Sequence, residues 1–372
     1  MAAERASRVL LTADTVGGVW TYAAELAREL DARGVRVELA TMGAPPSAHQ
    51  RAELAGCAGV RLHESSYRLE WMQEPWPDVE AAGAWLLRLE RALRPDIIHL
   101  NQFAFGALPF TAPTLLVAHS CVLSWWQAVH GAPAPAGWDR YRQVVRAGLQ
   151  GAGLVAAPTR AMLQSLAANY GQADGIVLPN GRRATLFTPG SKEPVVFAAG
   201  RFWDAAKNLS ALEQVAADLP WPVQVAGSML QPDGGACTPR GIDSLGLLPQ
   251  PELARRLAAA SIYALPARYE PFGLSVLEAA LSGCALVLGD IPSLRETWGA
   301  TAVYVPPQDH DALRSALVHL IARRAQREAL AAAARKRALQ FTAGRMAGAC
   351  LAAYARLTPR FAAPAAQDHA CA

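Results

Sequence analysis

Residues 261–281 of the 372-residue chain place two glutamates where carboxylates can do chemistry. The apolar run 261–266 reads as a buried strand stopped by a proline, and residues 274–281 read as an apolar helix. The loop between them holds Glu270, Pro271, Phe272 and Gly273. Glu270 therefore precedes the helix and Glu278 lies about one turn inside it, with seven residues between them. The unpaired N–H groups of the first turn, from Phe272 through Gly273 and Leu274 to Ser275, can hold a phosphate together with the positive end of the helix dipole. The carboxylates can accept hydrogen bonds from hydroxyls on either side of that phosphate, one on a ribose and one on another sugar. Gly273 allows a ligand close to the backbone. The stretch also fits an ordinary strand–loop–helix unit, in which Glu278 is solvated and Glu270 offsets the dipole.

A second group sits upstream. Gly200-Arg201 follows a strand at 195–199, and Lys207-Asn208 precedes a helix that starts near 209. The two cations are six residues apart in one loop. They can meet on one anion, Arg201 as a planar fork and Lys207 as a point charge, or they can be a solvated basic loop. His119 ends a strand at 115–118, where it is either a rim residue or a functional one. Gly17-Gly18 lies in the turn after a strand at 8–12. The full Gly-x-Gly-x-x-Gly fingerprint is missing, which disfavours a nicotinamide or flavin enzyme. Trp125 and Trp126 open an Ala- and Pro-rich segment, readable as an acceptor platform or, preferably, as a loop packed on the core.

Glu270-x7-Glu278, joined to Gly200-Arg201 and Lys207-Asn208, resembles the signature of retaining nucleotide-sugar glycosyltransferases with two Rossmann-like domains (GT-B type, family 4-like). The resemblance implies that Arg201 and Lys207 clamp the donor diphosphate, Glu270 holds donor-sugar hydroxyls and Glu278 the ribose. It implies that Gly17 and Gly18 face the diphosphate across the cleft. His119 would take the sugar's 6-hydroxyl or the developing positive charge. The spacer Trp203-Asp204-Ala205 is less typical of the family. The two cations are expected to replace a metal ion. No cofactor is expected beyond the donor substrate.

The elements that must position these residues come in two α/β halves, and the length suits two domains. We expect two Rossmann-like domains facing across a cleft, residues 1–185 on the acceptor side and 186–342 on the donor side. A helix at 343–357 is expected to cross back onto the first domain, followed by a frayed tail at 358–372. Pro179-Asn180-Gly181 marks the crossover. A net charge of +4 with dispersed basic residues speaks against nucleic acid. No secretory leader or membrane span is recognisable, and the six scattered cysteines lack metal-type spacing, so a cytoplasmic protein is expected. The Ala- and Arg-rich stretch 323–337 would allow at most weak peripheral contact with the inner membrane surface.

The expected reaction moves a hexosyl group to a hydroxyl of a glycan, lipid-linked or small-molecule acceptor. Two alternatives stand beside it. One is an epimerase or phosphorylase on a related scaffold; the other is a non-catalytic nucleotide-sugar binding subunit.

Overall fold

A computed structural model describes residues 6–361 except 172–173 and 232–233, so most of the expected tail lies outside the described residues. Two parallel sheets form in sequence. The first contains β1 (Arg8–Asp14), β2 (Arg36–Met42), β3 (Val60–Glu64), β4 (Ile97–Leu100), β5 (Thr114–Val117), β6 (Leu154–Ala157) and β7 (Ile176–Val177), in the order β3-β2-β1-β4-β5-β6-β7. The second contains β8 (Glu193–Ala199), β9 (Val223–Ala226), β10 (Asp243–Ser244), β11 (Ala260–Leu265), β12 (Ala285–Gly289) and β13 (Val303–Val305), in the order β10-β9-β8-β11-β12-β13.

Helices cover both faces because the strands bury both of theirs. On β1, Val9, Leu11 and Ala13 share a core with α1 (Gly18–Asp31), whereas Leu10 faces the opposite layer. Chain order continues with α2 (Ala48–Glu53), α3 (Trp76–Leu93), α4 (Val122–His130), α5 (Asp139–Gly151) and α6 (Arg160–Tyr170). The second lobe carries α7 (Leu209–Ala216), α8 (Gln250–Ala259), α9 (Leu274–Leu281), α10 (Pro292–Trp298), α11 (His310–Ala322) and α12 (Arg324–Ala338). Apolar residues of α9, α10 and α12 fill one face of its sheet, and those of α7 and α11 the other.

The last helix, α13 (Ala343–Leu357), packs on the first lobe. Its Tyr354 hydroxyl lies 2.7 Å from Nδ1 of His99 on β4, and Cys350 meets Tyr22 of α1. Burial holds the His99 imidazole at a pKa of about 3, so this anchor is neutral.

One expectation needs correction. The segment from Trp125 to Trp138 is not one long loop, because α4 runs to His130 and ends at Gly131 in the left-handed region. A helix also starts at Pro292, since proline is tolerated in the first helical turn. The edge strand β10 is only two residues long. The edge strand β3 alternates Val60 and Leu62, which pack against the first-lobe core, with Arg61 and His63.

In each lobe the strand order reverses beside one central strand, between β1 and β4 in the first and between β8 and β11 in the second. Ligands of open α/β sheets bind outside the strand C-termini at such points. The loops there begin at Thr15 and Asn101 in the first lobe, and at Gly200 and Pro266 in the second.

Candidate active site

The second lobe builds the charged part of the site. Lys207 ends a short 3-10 turn, Ala205–Lys207, and its Nζ lies 2.6 Å from Glu270 Oε2. Both side chains are nearly buried, at 12% and 13% exposure, so each depends on the other for compensation. The other oxygen of Glu270 accepts from the Gly273 amide at 3.0 Å. That bond occupies one donor of the expected backbone cradle. Gly273 has φ +90°, a left-handed conformation that side-chain-bearing residues rarely adopt, and it lets the chain turn into α9 at once. Phe272 is core rather than rim, its ring against Phe341, and the Ser275 hydroxyl accepts from Tyr263.

Arg201 reaches toward the first lobe. Its Nη1 lies 3.4 Å from the Val16 carbonyl, and its guanidinium stacks over Trp203 at 5.3 Å. Gly17 has φ +89°, and a Cβ there would sit 3.1 Å from Arg201 Cδ. The conformation favours glycine, and a side chain there would also press on Arg201. A Cβ on Gly18 would lie 3.5 Å from Leu274 Cδ1 at the start of α9, and one on Gly200 would lie 3.6 Å from the stem of Lys207. Gly17, Gly18, Arg201, Lys207, Glu270 and Leu274 are therefore linked by contact around one gap between the lobes.

Glu278 stands apart from that group. Its carboxylate pairs with Arg182 at 2.8 Å, and Arg182 also donates to Glu25 of α1 at 2.7 Å. Arg183 adds a second bond to Glu25. Burial pushes the Glu278 carboxyl upward, and Arg182 opposes the shift. A residue of the crossover thus joins a carboxylate of each lobe, which the turn signal at 179–181 does not reveal.

His119 lies at the end of β5, two residues before Cys121, whose amide donates to Tyr269 Oη at 3.1 Å beside Glu270. Nε2 of His119 is 2.8 Å from Asn101 Oδ1, while the Asn101 amide nitrogen donates to the Thr12 carbonyl. That orientation makes Nε2 the protonated nitrogen and leaves Nδ1 a lone pair. Burial lowers its pKa to about 3, so the ring is neutral. Two further groups of the first lobe are not apparent in the sequence. Burial raises Asp14, at the end of β1, to about 6 against the opposing pull of Arg201. Glu70 is raised to about 7 while accepting from the amides of Phe103 and Ala104.

The lobes meet through further polar contacts. Thr159 caps α6 and donates to the Pro271 carbonyl, and the Glu296 carboxylate accepts from the first amides of α6 at 2.7 and 2.9 Å. A carboxylate at a helix N-terminus is the arrangement the dipole favours. A surface depression of about 590 Å³ between α7 and α11 is lined by none of the site residues.

Two Rossmann-like lobes that face each other across a gap define a two-domain glycosyltransferase architecture. Two family models match adjoining parts of the chain: Glycosyltransferase Family 4 over residues 16–184 and Glycosyl transferases group 1 over residues 193–323. The chain belongs to this family of glycosyltransferases. O-antigen chain mannosyltransferase B of Escherichia coli is 33% identical over 98 residues, 26% of each chain. The match thus spans about a quarter of that relative's length. Sucrose-phosphate synthase from Thermosynechococcus elongatus has the same fold, with a TM-score of 0.78 at 21% identity over 94% of this chain and 99% of that one. Anabaena HepE in complex with UDP and glucose superposes with a TM-score of 0.72 at 16% identity, over 94% and 100%.

Among the described residues, no helix is long and apolar enough to cross a membrane, and no group of three or more His, Cys, Asp or Glu is placed to hold a metal. The basic helix α12 spends several arginines on its own lobe. Arg335 donates to the Leu281 carbonyl, Arg337 to the Thr297 carbonyl, and Arg327 to Leu320 while stacking on Trp221.

Proposed function

We propose that the chain transfers a hexosyl group from a nucleoside diphosphate sugar to an acceptor hydroxyl with retention of anomeric configuration and without a metal ion. The observation that carries this reading is the Lys207–Glu270 pair, set at the start of α9 with Arg201 alongside and Gly17 opposite. A donor diphosphate would replace Glu270 as the partner of Lys207. Glu270 would then accept from the donor-sugar hydroxyls. HepE, a structural neighbour, binds UDP-glucose, which supports a donor of this chemical class.

In the reaction the bond from the anomeric carbon to the phosphate oxygen breaks, and its electron pair leaves with the diphosphate. The acceptor oxygen bonds to the same face of that carbon, and its proton passes to the departing phosphate oxygen. The developing negative charge needs nearby donors. A helix N-terminus supplies about 0.3–1 kcal/mol when exposed and about 2 when partly buried, whereas enzymes lower barriers by roughly 8 kcal/mol or more. Arg201 and Lys207 in a dry gap therefore carry most of the stabilisation. Neutral His119 offers its lone pair to a sugar hydroxyl. Glu278 serves the ribose through whatever capacity Arg182 leaves free.

The test is a panel of nucleotide sugars and hydroxyl acceptors assayed in EDTA, with the product anomer assigned by NMR. Transfer with the donor's anomeric configuration is expected. Inversion of configuration, donor interconversion without acceptor, or activity restored only by magnesium or manganese would contradict the reading.

A further inference from the structure

The start of α4 holds both loops of the charged cluster. Trp125, in the first lobe, donates its indole N–H to Asp204 Oδ1 of the second at 2.7 Å. Asp204 is 9% exposed, and its Oδ1 also accepts from the Ala206 amide, capping the turn that ends in Lys207. Its other oxygen lies 3.8 Å from Arg201 Nη2. Asp204 therefore orders one cation and neighbours the other. Four residues before Trp125, the Cys121 amide donates to Tyr269 Oη next to Glu270. The Trp125 amide bonds back to the Cys121 carbonyl, so both contacts leave the same helical turn, just after His119. The residues Trp125 and Asp204, each without a clear role in the sequence, account for each other.

We propose that Trp125 and Tyr269 are positioning residues, a latch by which the first lobe sets the Arg201–Lys207 loop and the Glu270 loop when the lobes meet. The inference rests on the proposed role of those loops in donor chemistry. Trp126 packs beside the latch, its ring tilted against His130 at 4.4 Å and edge-on to Trp125 at 6.0 Å. An indole N–H is a single donor on a rigid ring, so its bond to Asp204 fixes direction as well as distance. The contact requires both lobes together. Its loss should therefore lower turnover more than it weakens nucleotide binding, because the clamp and the α9 terminus belong to the second lobe alone.

Trp125→Phe keeps the ring and removes the donor; Asp204→Asn keeps an accepting oxygen and removes the charge. Hydrogen exchange at residues 201–208 of the ligand-free protein should quicken at least about tenfold in Trp125→Phe and less in Asp204→Asn. Exchange in Trp126→Phe should match wild type. kcat should fall at least about tenfold in Trp125→Phe, while the Kd for UDP or GDP, whichever binds wild type, changes less than about threefold. Unchanged exchange at 201–208, or kcat within twofold of wild type, would overturn the latch. If wild type proves inactive on every nucleotide sugar yet exchange quickens as described, the glycosyl-transfer reading fails and the mechanical link stands.

Discussion

The two lobes share one fold and bring opposite electrostatics to their common gap. The second offers basic and acidic side chains in contact, Lys207 with Glu270, and places Arg201 in the same loop as Lys207. The first offers glycine backbone, a neutral His119 and two carboxyls, Asp14 and Glu70, that burial holds partly protonated near neutrality. The contrast indicates a division of labour. A charged wall can attract an anionic donor from water, and a wall with fewer charges can exclude water once the lobes meet and so strengthen the charges opposite.

Arg182 is where the contrast is most easily broken, because this crossover residue joins buried carboxylates of both lobes. Arg182→Met leaves Glu278 without its cation and should destabilise the protein by roughly 3–5 kcal/mol in denaturant unfolding. A loss below about 1 kcal/mol would show that the lobes do not depend on this network.

A smaller effect sharpens the picture of the first lobe. The folded pKa of Asp14, about 6, exceeds the unfolded value near 4, so the folded state retains a proton that the unfolded chain releases between those values. Stability should therefore fall as pH rises through that window, by up to roughly 3 kcal/mol from Asp14. Glu70 adds a slope of the same sign extending to about pH 7. Asp14→Asn should remove the Asp14 part of the slope in unfolding measured from pH 4 to 7. An unchanged slope would mean that Asp14 is not desolvated in solution.

The lobes also differ in how much of them can be read from sequence. The β11–loop–α9 unit is legible because strand, proline stop, glycine turn and apolar helix are consecutive and each has a local cause. Arg201 and Lys207 stand out only through the resemblance of Gly200-Arg201 and Lys207-Asn208 to the family's pattern, because two cations in a strand-to-helix loop also fit a solvated loop. In the first lobe, Asp14, Asn101 and His119 come together only through parallel strand order, and the protonation of Asp14 and His119 follows from burial, which no local pattern encodes. The interlobe contacts are harder still. Trp125 to Asp204 spans 79 positions and Arg160 to Glu296 spans 136, with no local pattern connecting either pair. α4 is misread because the Ala- and Pro-rich residues that follow it look like part of one loop, although they begin only after Gly131 has closed the helix.

The most direct test of the account is turnover of Lys207→Ala beside wild type, in EDTA and with saturating nucleotide sugar and acceptor. Loss of this charge-stabilising donor should cut kcat by at least about a hundredfold with the fold intact. Turnover close to wild type would mean that the departing diphosphate is stabilised elsewhere, and would contradict the proposal that the second lobe's cations drive the reaction.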